Sequence, residues 1–486
     1  MNLDFKGLEA FVAGTIAECN VPSIGIAVVK GEETLYSKCF GYKDIENKLA
    51  PDGDTVYAMA SLTKPMTAAC AAMLVDEGKL DWDTPVINYL PEWRAFDECV
   101  TLGITLRDML SHNTGLPRHD LVWFQLEGKS RTTKDLVESI RHLKPNKPAR
   151  TMYEYNNLMF TSVGYIIERI SGKTWGEFME ERLFAPLGMN NSSTVIAKLA
   201  GATNKALPYH ESAKGIITKA EYLDFDGMGG CGTVNSTLND MAKWASLNLN
   251  KGTYKGNTII SEKNIKEMQK AQTTMRIDPI PEVPLVAYGL GWAVRSYRGH
   301  YNINHSGGIT GFSTYVTLLP FSDLGLVLLT NLAGTNAHIA IANTFIDHIM
   351  GLPEKDWVGH VNSEKDKALA ELDKLNNAIL ADVNSGKPGA QMPHKMEDYT
   401  GRYEHKGYGA ALVRLDGGKL FLSYNGFHRE LYHSNFDAFY IDLSDNHVRS
   451  LIRARFVTDI KGVVSELQLD FERALNGEYI TFTRAK

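Results

Sequence analysis

Strand-like segments near residue 30 and near residue 315 bracket a long stretch in which helical signals dominate. This arrangement constrains the fold more than any other feature of the chain. Ser23–Val29 and Glu33–Phe40 read as strands joined by the tight turn Lys30-Gly31-Glu32. Far along the chain, Tyr301–His305, Phe312–Leu319 and Leu324–Thr330 form an antiparallel meander separated by Gly- or Asp-containing turns. Between them, residues 62–77, 134–145, 158–171, 174–183 and 238–249 carry helical periodicity, as do 4–19 before and 337–350 after. Strands left without partners nearby must pair with distant ones. The expectation is an α+β unit, an antiparallel sheet flanked by helices with an inserted helical subdomain.

A second unit follows. Residues 363–384 read as a charged, leucine-spaced helix, and Asn384-Ser385-Gly386-Lys387-Pro388-Gly389 as a linker. From about 396 the pattern shifts to short alternating segments such as Ala411–Leu415, Lys419–Tyr424, Ala438–Leu443 and Glu466–Phe471. That is the signature of a small all-β barrel or sandwich. The division expected is therefore 1–352, a helical linker 353–395, and 396–486. Tyr408, Phe427, Tyr432 and Phe436 fall in predicted loops of the tail, and exposed aromatics usually mark a contact. The tail is accordingly expected to shape the entrance of a cleft in the larger unit. There is no internal repeat.

Composition removes several classes of function. Hydrophobic residues make up 44% and charged residues 22%, enough for a large core. The net charge of -6 is well mixed and shows no basic footprint for nucleic acid. The five cysteines stand singly and suit reduced thiols. With neither a signal-peptide pattern nor an apolar run long enough for a bilayer, a cytoplasmic protein without membrane contact is expected. Oligomeric state is open, a homo-oligomer included.

Chemistry enters with Ser61-Leu62-Thr63-Lys64. A serine hydroxyl needs an adjacent base, and three residues along a helix place Ser61 and Lys64 on one face. A single S-x-x-K arises about twice by chance in a chain this long, so the motif alone decides little. Tyr155-Asn156-Asn157 offers a proton-relaying phenol and an amide able to hold a carbonyl. His305-Ser306-Gly307-Gly308 ends a predicted strand, where glycines let a substrate approach the backbone and the Gly308 N–H serve an oxyanion. Gly227-Met228-Gly229-Gly230-Cys231-Gly232 satisfies G-x-G-x-x-G, but no apolar strand precedes it and no helix opens on its last glycine. His119-Asp120 is an adjacent pair that does not face a single point, and no metal-ligand spacing occurs. Neither a metal nor a cofactor is expected.

Ser61-x-x-Lys64 is the only S-x-x-K of the chain, and Tyr155-x-Asn157 the only Y-x-N. With His305-x-Gly307 after them, the set resembles the serine β-lactamase and penicillin-binding protein superfamily. Leu110-Ser111-His112-Asn113-Thr114-Gly115-Leu116-Pro117, Pro186-Leu187-Gly188-Met189 and Tyr288-Gly289-Leu290-Gly291-Trp292 look like its class C branch, which includes family VIII carboxylesterases and D-aminopeptidases. The tail looks like the lipocalin-type domain of some relatives. The resemblance implies Ser61 as acylated nucleophile, Lys64 as its base and Tyr155 as proton carrier to the leaving group. It implies that Asn157 orients substrate and Lys64, and that Ser61 and Gly308 N–H groups form the oxyanion hole. His305 stands where relatives carry a lysine that holds a substrate carboxylate, and Ser306 where they carry threonine. A neutral histidine does this poorly. Esters, or small amides and peptides lacking that carboxylate, are the expected substrates. Two other readings remain open: an acyltransferase passing the acyl group to an alcohol or amine, and an inactive scaffold.

Overall fold

A computed structural model describes residues 4–123, 130–212, 215–275, 279–384, 391–443, 450–472 and 478–485. The distant strand segments pair as expected. The sheet comprises β1 (Ser23–Lys30), β2 (Glu33–Gly41), β3 (Thr273–Thr274), β4 (Val286–Tyr288), β5 (Ala293–Tyr297), β6 (His300–Ile309), β7 (Phe312–Leu319) and β8 (Leu324–Thr330). Its order is β2-β1-β8-β7-β6-β5-β4-β3, antiparallel throughout.

Apolar alternation in the central strands divides the interior into two cores. Ile24, Ile26 and Val28 of β1 and Leu324, Leu326 and Leu328 of β8 face one side, against α1 (Lys6–Glu18) and α5 (Ala337–Met350). Ala27, Val29, Val327 and Leu329 face the other, where α2 (Thr63–Asp76), α3 (Asn157–Ser171) and α4 (Leu238–Leu249) pack. With helices on both faces, the strands are apolar on both, which explains their unbroken hydrophobic runs. All twelve residues from Thr63 to Leu74 of α2 are buried, and its alanines let neighbouring elements approach closely.

The boundaries differ from the sequence expectation in three places. The helix expected over 134–145 ends at Ser139 and closes with a 3-10 turn, Ile140–His142, because Pro145 disfavours helical geometry just before it. The stretch 174–183 is a helix with a π turn at Glu180–Phe184, terminated by left-handed Gly188. β6 runs to Ile309, so His305 to Gly308 lie within the strand rather than at its end.

The tail is a closed eight-stranded antiparallel barrel, β9 (Gly401–His405), β10 (Gly409–Asp416), β11 (Lys419–Tyr424), β12 (Phe427–Asn435), β13 (Ala438–Asp442), β14 (Leu451–Thr458), β15 (Val464–Leu469) and β16 (Ile480–Arg484). Tyr403, Ala411, Leu422, Ile441, Leu467 and Phe482 are fully buried, so side chains pack the barrel. The 28-residue helix α6 (Trp357–Asn384) links the units. Its Trp357, Val358 and Val361 join the core under α5, while Asn376 accepts a hydrogen bond from the Leu451 amide of the barrel at 3.1 Å. The tail aromatics do not form the exposed loop cluster expected. Tyr408 does lie in a turn, between β9 and β10, but is buried with its hydroxyl 2.6 Å from His119 Nδ1 of the larger unit; Phe427 and Tyr432 lie in β12, Tyr432 stacked on Tyr440, and Phe436 is in an exposed turn. Alternating strands put aromatic residues inside as often as at rims, which single-residue placement does not distinguish. All five cysteines are free. Among the described residues, no helix is long and apolar enough to cross a membrane.

Candidate active site

Ser61 sits in a 3-10 turn, Ala60–Leu62, between a short strand (Val56–Ala58) and α2. Ala60 is held at φ +49, a left-handed conformation that costs a residue with a Cβ about 1 kcal/mol. The turn lifts Ser61 to the floor of a cavity of about 260 Å³, lined also by Arg118, Asp120, Trp123, Tyr155, Asn157, Phe225, Ser306, Gly308 and Ile309. Ser61 Oγ lies 2.9 Å from Lys64 Nζ and 2.8 Å from the Tyr155 hydroxyl. Lys64, the second residue of α2, is wholly buried, and its Nζ also donates to the Cys231 carbonyl at 3.0 Å. The Tyr155 ring lies against Lys64 Nζ at 4.8 Å and against the Arg118 guanidinium at 4.4 Å. Among the described residues no carboxylate pairs with Lys64.

Tyr155 is held in place by its flanks. The Glu154 amide donates to the His112 carbonyl at 2.8 Å, and the Asn156 amide to His112 Nδ1 at 3.1 Å. His112 therefore carries its proton on Nε2, and burial, reinforced by Lys64, holds the imidazole well below its usual pKa. The Asn156 side chain caps α3 by accepting from the Met159 amide and donates to the Pro117 carbonyl at 2.5 Å. Asn157 directs its Nδ2 to Asp120 Oδ1 at 2.9 Å rather than toward Lys64, a correction to the expected pairing. Its buried Oδ1 has no hydrogen-bond partner among the described residues.

β6 borders the cavity on the opposite side. Its pairing with β5 ends at Asn304, so His305–Ile309 present an unpaired strand edge. His305 is buried at the cavity wall, its Nε2 hydrogen-bonded to the Tyr288 hydroxyl at 2.8 Å, and burial lowers its pKa to about 3. It is neutral at physiological pH, as the sequence implied. Gly307 does not line the cavity. A Cβ there would fall 2.1 Å from the Met59 carbonyl and 2.3 Å from Thr314 Oγ1, so this glycine lets β6 close against the segment carrying Ser61. Gly308 has open space on its Cβ side and lines the cavity.

The structure thus brings Ser61, Tyr155, Asn157, His305 and Gly308 to one cavity, buries Lys64 against Ser61 beneath it, and turns Gly307 into the protein. Sequence reasoning missed the roles of Arg118, Asp120 and His112 and of the Cys231 carbonyl. The glycine-rich 227–232 segment holds the one usable signal. A Cβ at Gly230 would strike the Phe160 carbonyl at 2.3 Å, so the glycines let this segment press onto α3 and deliver its carbonyls to α2.

A serine in a tight turn, a buried lysine and a tyrosine on this sheet-and-helix frame define a class of protein with a β-lactamase-like unit. The beta-lactamase family profile matches residues 8–350, and the chain belongs to that family. A profile for a domain of unknown function, DUF3471, matches residues 386–484. An unguisins hydrolase (ungD') of Aspergillus campestris is 30% identical over 83% of this chain and 77% of its own. The protein flp of Staphylococcus aureus is 23% identical over 67% of this chain and 62% of its own. Among solved structures, the octameric penicillin-binding protein homologue from Pyrococcus abyssi superposes with a TM-score of 0.61 at 22% identity, covering 99% of this chain and 100% of that one. D-amino acid amidase from Ochrobactrum anthropi gives 0.59 at 24%, covering 71% and 99%.

Proposed function

We propose that the protein is a serine hydrolase that cleaves esters or small amides and peptides through an acyl-enzyme on Ser61. The observation that carries this reading is Ser61 Oγ within 3 Å of both Lys64 Nζ and the Tyr155 hydroxyl on a cavity floor. Ser61 attacks the substrate carbonyl while its proton passes to Lys64. The Ser61 and Gly308 amides receive the oxyanion. Tyr155 hands a proton to the leaving group, and water then releases the acyl group, Lys64 and Tyr155 carrying protons in reverse. The free Oδ1 of Asn157 accepts a substrate N–H, and Trp123, Phe225 and Ile309 supply an apolar wall for the acyl portion. The hydrolase named among the relatives supports the direction of the reaction.

His305 sets the substrate class. Neutral and bound to Tyr288, it gives no charge for a carboxylate beside the scissile bond. A panel of p-nitrophenyl esters, D- and L-aminoacyl anilides and nitrocefin tests the reading. Turnover of esters or anilides with nitrocefin poorly cleaved is expected; nitrocefin as the preferred substrate would overturn the assignment.

A further inference from the structure

The cavity loop Arg118–Trp123 is held from outside the catalytic unit. Glu472, just beyond β15 of the barrel and buried, accepts the Leu121 amide at 2.9 Å. The Leu121 carbonyl accepts from the Tyr424 hydroxyl at 3.3 Å and from Asn425 Nδ2. Arg131 ties the Val122 carbonyl (2.8 Å) to the Gly407 carbonyl of the barrel (2.9 Å). Facing the cavity, Asp120 of the same loop accepts from Asn157 Nδ2, Arg118 Nη1 and Trp123 Nε1 at 2.9, 2.8 and 3.2 Å.

We propose that Glu472 is a positioning residue for the candidate active site: from the barrel it fixes the Leu121 amide, and through Asp120 it sets the orientation of Asn157. This rests on the acyl-enzyme reading above. The hydrogens at the joint specify how it works. The Lys144 carbonyl accepts from His119 Nε2 (3.1 Å), so neutral His119 offers Nδ1 as an acceptor, and the Tyr408 hydroxyl, 2.6 Å away, donates its one hydrogen there. The Tyr408 hydroxyl also lies 3.3 Å from Glu472 Oε1, the oxygen that accepts the Leu121 amide, and it is the hydroxyl that donates in that contact as well, so His119 and the carboxyl compete for its one hydrogen and the shorter contact holds it. Burial, with Asp120 beside it, raises Glu472 to about 8 against the opposing pull of the Leu121 amide and the Tyr408 hydroxyl, so the carboxyl is protonated near neutral pH. The groups facing the joint are Arg118, His119 and Asp120 on the loop, Tyr408, Tyr424 and His405 from the barrel, and Arg131 and Lys144 from the helical side. Ionisation of Glu472 sets a carboxylate near Asp120 and draws the Tyr408 hydrogen away from His119. The loop loosens, and substrate orientation with it.

The test compares full-length wild type, Glu472→Gln and Glu472→Ala by kcat/KM from pH 6 to 9.5, by Ser61 labelling with a fluorophosphonate, and by thermal melting. Wild type is expected to lose kcat/KM above about pH 8. Glu472→Gln reproduces the protonated geometry and cannot titrate. It is expected to stay within about threefold of wild type at pH 6.5 and to lose the alkaline decline. Glu472→Ala is expected to lose about tenfold or more in kcat/KM on amide substrates, with labelling of Ser61 by the small probe reduced far less. An alkaline decline shared by wild type and Glu472→Gln overturns the proposal, as does wild-type kcat/KM in Glu472→Ala. If Glu472→Ala does not fold, the Glu472→Gln profile decides. Absence of labelling in wild type overturns the acyl-enzyme reading and this proposal with it, whereas labelling with unaltered Glu472 variants overturns the proposal alone.

Discussion

A serine hydroxyl attacks a carbonyl only when something takes its proton, and Ser61 has both a buried amine and a phenol within hydrogen-bond reach. If these groups act as a unit, their losses do not multiply. Ser61→Ala is expected to abolish turnover, and Lys64→Ala to lower kcat by roughly 10²–10⁴-fold. The double variant should be little worse than Ser61→Ala alone. Steady-state kinetics on one chromogenic ester checks this; independent, multiplicative losses would separate the pair. At this scale the sequence was legible where chemistry has a fixed spacing. Ser61 and Lys64 are one helical turn apart, and Tyr155 and Asn157 stand either side of a helix cap. Arg118, Asp120 and His112 were not legible as site residues, because they act through a loop or a backbone contact with no spacing to read. The Cys231 carbonyl left no trace in side-chain identity at all.

Among the elements, β6 shows how one strand serves both packing and chemistry. Gly307 and Gly308 are adjacent and look equivalent in the sequence, but alternation along a strand sends them to opposite sides. Gly307→Ala would drive a methyl group into the Met59 carbonyl and displace the turn carrying Ser61. A loss of about 1–3 kcal/mol in stability is expected, with a fall in kcat. Gly308→Ala meets no atom within 4 Å and should melt like wild type, any effect appearing in KM. Equal melting temperatures for the two variants would contradict this placement. Pairing of the end segments into one sheet could be read from hydrophobic alternation. The outward extension of β6 to Ile309 could not, since its edge beyond Asn304 gains no partner and its glycines carry no strand signal. Phe427 and Tyr432 of the barrel were misjudged for a related reason. Period-two burial has to be counted along whole strands before a loop can be assigned.

The whole molecule carries several neutral histidines in its interior. Burial lowers His305 and His338 to about 3 and His119 and His405 to about 4, with His112 also well below its usual value. In the unfolded chain these groups bind protons below about pH 6.5. Their contribution to stability is therefore fully present above that pH and lost as pH falls toward 4. Glu472 has the opposite sign. Its folded form keeps a proton that the unfolded chain releases above about pH 4.3, so its contribution declines as pH rises through 8. Thermal melts are expected to peak near pH 6.5 and fall on both sides, and Glu472→Gln should flatten the alkaline side up to about pH 8. A melting temperature that keeps rising from pH 6.5 to 8 in wild type would contradict this. The central claim, an acyl-enzyme on Ser61, is tested most directly by acid-quenching the full-length protein during turnover of a p-nitrophenyl ester and weighing it intact, then as peptides. A mass increase equal to the acyl group is expected, confined to the peptide containing Ser61 and absent from Ser61→Ala; turnover with no such adduct under rapid quenching, or an adduct that persists in Ser61→Ala, would contradict an acyl-enzyme on Ser61.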